Sequence, residues 1–126
     1  MIKSLLVIDD DADELHFFSQ AVSAINPYYQ CIASSHPVEA LEKLRKEEIN
    51  PNFIFLDLNM PVMNGWDCLR ELKKIPCLSN IPVIILTISS FEKDAEKVFA
   101  LGANLFLQKP NTIQRLVESI KKIIEE

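Results

Sequence analysis

Four short apolar runs divide this chain, and each is followed almost at once by polar residues. The runs are Leu5 to Ile8, Phe53 to Leu56, Val83 to Leu86 and Leu105 to Leu107. They are too short for helices and too uniformly apolar for half-exposed strands, which predicts strands buried on both faces of a parallel sheet.

The polar residues after these runs predict a functional site. They are Asp9 with Asp10, Asp57, Thr87 and Lys109. In an open α/β sheet, ligands bind outside the carboxyl ends of the strands. We therefore expect three carboxylates, a hydroxyl and an ammonium group to meet at one edge of the sheet.

The segments between the runs have helical periodicity, so helices are predicted to alternate with strands. A more polar strand, Tyr29 to Ser34, is expected at a sheet edge; Pro37 suits a helix start, and Gly102 a helix end. The pattern predicts one α/β domain over residues 1–126. Right-handed crossovers favour a flavodoxin-like, doubly wound sheet of five parallel strands in the order 2-1-3-4-5.

Composition excludes several classes of protein. The chain is 48% hydrophobic and 25% charged, with a net charge of −5 and no long basic run. These values predict a globular protein without direct nucleic-acid or membrane binding. Cys31, Cys68 and Cys77 lack metal-ligand spacing, so we interpret them as packing residues in a reducing compartment, the cytoplasm.

The acidic cluster needs positive charge. Two carboxylates about 4 Å apart repel by roughly 4 kcal/mol at an effective dielectric constant near 20. Lys109 supplies one cation, and the oxygens of Asp10, Asp57 and the Asn59 carbonyl suit Mg²⁺, which also takes phosphate oxygens. Asp57 is the predicted nucleophile toward phosphorus, with Thr87 and Lys109 stabilising the phosphoryl oxygens.

Four motifs together resemble the receiver domain of two-component response regulators, especially the single-domain, chemotaxis-type members. They are Val7-Ile8-Asp9-Asp10-Asp11, Asp57-Leu58-Asn59-Met60-Pro61-Val62-Met63-Asn64-Gly65, Leu86-Thr87 and Lys109-Pro110. The order and spacing are those of receivers, and the resemblance covers the whole chain.

The resemblance implies that Asp57 accepts a phosphoryl group from a sensor histidine kinase or a histidine phosphotransfer protein. It implies Mg²⁺ or Mn²⁺ held by Asp10, Asp57 and the Asn59 carbonyl, with Asp9 acting through water. Thr87 and Phe106 would form the switch. The Lys109–Pro110 bond would be cis.

The resemblance also implies an output surface on the helix before Gly102, the last strand and the last helix, with Phe91, Lys93, Lys97 and Phe106 near it. A separate effector protein would read that surface, or a relay histidine would receive the phosphoryl group. The chain would be a monomer or a weak, phosphorylation-dependent dimer.

Ile88 departs from the family pattern, because receivers generally carry Ala, Ser or Gly after the threonine. We expect this bulky side chain to narrow donor access to Asp57. Two alternatives stay open: a degenerate receiver that binds its partner without phosphorylation, and a phosphatase with an Asp nucleophile. The phosphatase pattern needs a second Asp where this chain has Asn59.

Overall fold

The structure, a computed structural model, describes residues 2–58, 60, 63–88 and 92–125, without the side chains of residues 92–94. The strands are β1 (Ser4–Ile8), β2 (Gln30–Ser34), β3 (Phe53–Asp57), β4 (Val83–Thr87) and β5 (Leu105–Gln108). The helices are α1 (Ala12–Ile25), α2 (Pro37–Arg45), α3 (Gly65–Lys73), α4 (Glu92–Ala100) and α5 (Ile113–Ile124), with a 3-10 turn at Pro76–Leu78.

The five strands form one parallel sheet in the order β2-β1-β3-β4-β5, as predicted. β2 lies on one side of β1, and β3, β4 and β5 follow one another on the other side. β1 and β3 are therefore neighbours at the point where the winding direction reverses. Their carboxyl ends are where the doubly wound fold places a ligand site.

Helices cover both faces of the sheet. On one face, α2, α3 and α4 pack on alternate strand residues such as Ile8, Ile54 and Ile85. On the other face, α1 and α5 pack on the intervening residues, among them Val7 and Phe55. Both faces of the central strands are buried, which explains their uninterrupted apolar sequence.

Local residue choices fix where the helices begin and end. The Asp11 carboxylate accepts hydrogen bonds from the backbone N–H groups of Asp13 and Glu14 and caps α1. Pro37 occupies the first turn of α2, where a missing N–H costs nothing. Gly102 follows α4 with φ of +102°, a conformation that side chains with a Cβ disfavour.

Three sequence expectations about burial are wrong. β5 was expected to be buried, but it is an edge strand, and Leu105 is 43% exposed. Helical spacing with Ala95 and Val98 predicts that Phe99 faces the core, but Phe99 is 46% exposed. The three cysteines are free thiols, and Cys77 is exposed rather than packed. An apolar run indicates that its residues are suited to burial. Whether they are buried depends on which helices and strands pack against them.

In the described ranges, no helix has both the length and the hydropathy needed to span a membrane.

Candidate functional site

The predicted carboxylates meet at the carboxyl ends of β1 and β3. One carboxylate oxygen from each of Asp9, Asp10 and Asp57 lies within 4.8 Å of the other two. Asp9 and Asp57 are only 2% and 4% exposed, whereas Asp10 is open to solvent. The cluster therefore consists of two buried carboxylates and one that is accessible to solvent.

Backbone hydrogen bonds hold Asp9 in place. Its N–H donates to the carbonyl of Ser34 at 3.0 Å, which continues the pairing of β1 with β2 by one residue. Its Oδ1 accepts a hydrogen bond from the N–H of Asp11 at 3.0 Å. One carboxylate oxygen is thus used to shape the turn into α1, and the other, Oδ2, remains to face the site.

Lys109, the first residue after β5, brings its ammonium group to the cluster. Its Nζ lies 2.9 Å from Oδ2 of Asp9 and 3.3 Å from Oδ1 of Asp57. Its backbone N–H donates to the carbonyl of Thr87 at 2.7 Å, so the pairing of β4 with β5 aims the side chain inward.

The ammonium of Lys109 is stabilised by the acidic residues around it. Burial alone would lower the pKa of Lys109, but the Asp9 hydrogen bond and the charges of Asp9, Asp57 and Glu14 outweigh that effect and raise it. A raised lysine pKa means that the amine stays protonated through the neutral range. Lys109 is therefore a permanent counter-charge at this site.

Thr87 ends β4 between the strands that carry Asp57 and Lys109. It is fully buried, and Asp57 is in register with Leu86, so Thr87 lies one residue further toward the site. The N–H of Leu58 donates to the carbonyl of Leu86 at 3.1 Å and extends the ladder past Asp57. Thr87 thus belongs to the same sheet edge as the acidic cluster.

Gly65 lies against the backbone of Asp57 and Leu58, a role that was not predicted from the sequence. Its N–H donates to the carbonyl of Leu58 at 2.9 Å. A Cβ at this position would lie 2.4 Å from Cα of Leu58 and 2.5 Å from the carbonyl oxygen of Asp57. Only glycine lets α3 begin against the backbone that carries Asp57. The Asn64-Gly65 pair was the available signal.

The prediction that the Lys109–Pro110 bond is cis is wrong, since every peptide bond in the described ranges is trans. The trans form is intrinsically preferred before proline by about 0.5–1 kcal/mol, and a local sequence cannot show whether tertiary contacts reverse that preference.

Other predicted residues are placed less fully. Phe106 is half-buried and packs on the core under α2, α3 and α4, and its switching role stays a prediction. Asn59 and Phe91 lie outside the described residues, as does the side chain of Lys93. Ile88, directly after Thr87, is 73% exposed.

Comparison with known proteins identifies the family. A sequence profile of the response regulator receiver domain matches residues 5–121. The chain belongs to this family. The receiver is 28% identical over 124 residues to the polar-differentiation response regulator DivK of Brucella ovis, and the match covers 98% of each chain.

Solved structures agree with this placement of the receiver. The phosphorylated cyanobacterial phytochrome response regulator RcpA has a TM-score of 0.87 and 26% identity, covering 99% of this chain and 93% of that one. The Mn²⁺-bound form of response regulator Rcp1 has a TM-score of 0.82 and 27% identity, covering 96% and 91%.

The residues of the receiver fit a divalent cation. Three carboxylates surround one described lysine, so the cluster keeps negative charge after Lys109 is counted. Carboxylate oxygens are hard ligands of the kind that Mg²⁺ and Mn²⁺ prefer, and the exposed side of Asp10 leaves room for water and a phosphoryl oxygen. The donor chemistry and the open side both suit a metal and phosphate site.

Proposed function

We propose that this receiver is a phosphoacceptor switch in which Asp57 takes a phosphoryl group from a phosphohistidine. The observation that carries the proposal is the position of Lys109, whose ammonium lies 2.9 Å from Asp9 and 3.3 Å from Asp57. A buried carboxylate beside a fixed cation can approach phosphorus, because the cation offsets the repulsion between two anions.

In the proposed reaction, an Oδ atom of Asp57 attacks phosphorus and forms a new P–O bond. The P–N bond to the donor imidazole breaks, and the imidazole leaves with the electron pair and takes up a proton. Lys109 then neutralises oxygen of the transferred group, and the Thr87 hydroxyl donates to another oxygen. No strong general base is needed, because attack by a carboxylate oxygen breaks no O–H bond.

The proposed cofactor is Mg²⁺ or Mn²⁺, held by Asp10, Asp57 and the backbone carbonyl of Asn59, with Asp9 acting through water. When bound, the cation supplies charge that neutralises the phosphoryl oxygens. The distances within the acidic cluster and the Mn²⁺-bound Rcp1 structure support this assignment.

The proposed output is a shift between two conformations of α4, β5 and α5, with Thr87 and Phe106 as switch residues. Phe99 of α4 and Leu105 of β5 are exposed. Leu105 lines a cavity of about 460 Å³ whose lining also includes Phe106 and Ile123. This apolar surface suits a separate effector protein in the cytoplasm. We propose that residues 1–126 act as one receiver unit, as a monomer or a weak dimer formed on phosphorylation.

The test is phosphotransfer. Autophosphorylated sensor kinases or histidine phosphotransfer proteins are mixed with the chain and Mg²⁺, and radiolabel is expected to move to the chain as a hydroxylamine-sensitive acyl phosphate. Transfer that stops after one phosphoryl group per chain, with slow self-hydrolysis, supports the switch. Repeated turnover of phosphomonoesters would instead show a phosphatase.

Adding Mg²⁺ is expected to stabilise the folded chain, because only the folded state brings the carboxylates together. At a free concentration about 100 times the dissociation constant, the gain is about 2.7 kcal/mol, measured as a rise in the midpoint of thermal unfolding. Asp10→Asn should lose most of this rise, while Asp13→Asn, outside the cluster, should keep it. An equal rise in both variants would contradict the assigned site.

Replacing Ile88 by Ala is expected to increase the rate of phosphorylation by acetyl phosphate a few-fold. The side chain is 73% exposed beside Thr87, so truncating it opens the approach to Asp57 without leaving a cavity in the core. The rate is measured by acid-quenched time courses, with Ile113→Ala as a control for removing an exposed apolar side chain. An unchanged rate for Ile88→Ala would show that it does not restrict the donor.

A further inference from the structure

A groove between α3 and α4 stands apart from both the phosphorylation site and the output surface. The groove is open to solvent and has a volume of about 580 Å³, within the range of ligand-binding pockets. Trp66, the chain's single tryptophan, contributes a half-buried ring that packs on the core. The other lining residues are Asn64, Asp67, Arg70, Lys97, Ala100 and Leu101.

Lys97, which the sequence predicts near the output surface, lines this groove. Its Nζ lies 6.0 Å from the centre of the Trp66 ring, on the α3 side of α4. Ala100 and Leu101, three and four residues later, share its face of the helix and line the same cavity. Phe99 is two residues after Lys97 and therefore lies about 200° around the helix from it, so α4 presents two different surfaces.

The groove is basic although the chain is acidic overall. Arg70 and Lys97 line it, and the stem of Lys73 crosses from α3 to within 3.1–3.3 Å of where a Cβ on Gly102 would lie. Asp67 is the one carboxylate among the lining residues that the structure describes, and it is already held by Arg70 at 2.8 Å. These described lining residues therefore carry a net positive charge, whereas the chain carries −5.

Among the side chains that the structure describes, Lys73 and Lys97 have no acidic partner. Across the described ion pairs, neither Lys73 nor Lys97 has a carboxylate within 4.0 Å. Partial burial lowers the pKa of Lys73, since its ammonium loses water and no acidic group in the described part of the chain offsets that loss. An incoming carboxylate would supply that missing interaction.

We propose that the groove between α3 and α4 docks an acidic linear peptide of a partner protein. Its carboxylates would pair with Lys97, Arg70 and Lys73, and an apolar side chain would lie on Trp66. We choose an acidic partner because of charge complementarity. An acidic segment is repelled by most of this chain's surface and is attracted to the groove. This site is distinct from the output surface, so both can be occupied together.

The test measures fluorescence anisotropy of labelled synthetic peptides in which Asp and Glu alternate with Leu and Phe. The wild-type chain should bind them saturably and alter the emission of Trp66. Lys97→Glu should weaken binding about tenfold, and Lys97→Arg should retain it. Lys46→Glu, an equal charge reversal at the exposed residue that follows α2, should have little effect.

Three results would overturn the proposal. The first is equal binding of a peptide in which every Asp and Glu is replaced by Asn and Gln, since the groove would then recognise only apolar groups. The second is equal weakening by Lys97→Glu and Lys46→Glu, which would show unspecific attraction. The third is preferential binding of a single-stranded oligonucleotide over the acidic peptide. Thermal unfolding and phosphorylation by acetyl phosphate, both expected to be normal in Lys97→Glu, show that the variant is folded.

Discussion

Replacing Asp57 by Asn is expected to abolish phosphoryl acceptance while leaving the fold intact. The amide has nearly the same size and can still accept a hydrogen bond from Lys109, which lies 3.3 Å from Oδ1 of the native carboxylate. It has no anionic oxygen with which to attack phosphorus. Transfer should fall at least on the order of a thousandfold, the scale reported when a catalytic nucleophile is removed.

The measurement is transfer of label from a phosphorylated kinase domain, with circular dichroism to verify folding. Asp13→Asn is the matched control, because it makes the same chemical change in the exposed first turn of α1, outside the acidic cluster. Label on Asp57→Asn would place the acceptor elsewhere. Effector binding that is identical in the wild type and in Asp57→Asn would indicate a receiver that works without phosphorylation.

Gly65→Ala is expected to cost about 3 kcal/mol of folding free energy, at the upper end of the overpacking range. The added methyl group would lie 2.4 Å from Cα of Leu58 and 2.5 Å from the Asp57 carbonyl oxygen, and backbone atoms cannot rotate away as a flexible side chain can. The melting temperature should fall by roughly 10 °C. Because the displaced backbone carries Asp57, phosphotransfer should also slow.

Gly102→Ala separates the loss of stability from the slowing of phosphotransfer. It introduces a Cβ at φ of +102°, a strained conformation that costs about 1–2 kcal/mol, but its new neighbours are the movable side-chain atoms of Lys73. This variant should lose stability and keep its normal rate of phosphotransfer per folded molecule. If both glycine variants transfer at the wild-type rate when folded, Gly65 does not position Asp57.

The comparison of Asp57 with Gly65 shows what kinds of residue can be recognised from sequence. Asp57 follows an apolar run, so strand periodicity and the strand-end rule locate it without coordinates. Gly65 matters because of a close approach between its Cα and the backbone of residues 57 and 58. Such an approach depends on how α3 docks on the sheet, and no local pattern encodes it.

The sequence by itself determined the alternation of helices and strands, the strand order and the group of Asp9, Asp10, Asp57, Thr87 and Lys109 at one edge of the sheet. It could do so because period, strand length and crossover handedness are local or nearly local constraints.

Only the tertiary structure decided how Lys109 divides its ammonium between two carboxylates, that its bond to Pro110 is trans, and that β5 stays half-exposed at the sheet edge. It also decided that the Lys97 ammonium lies 6.0 Å from the centre of the Trp66 ring. These outcomes depend on distances between elements far apart in the chain, where packing of one surface on another selects among conformations that are locally equivalent.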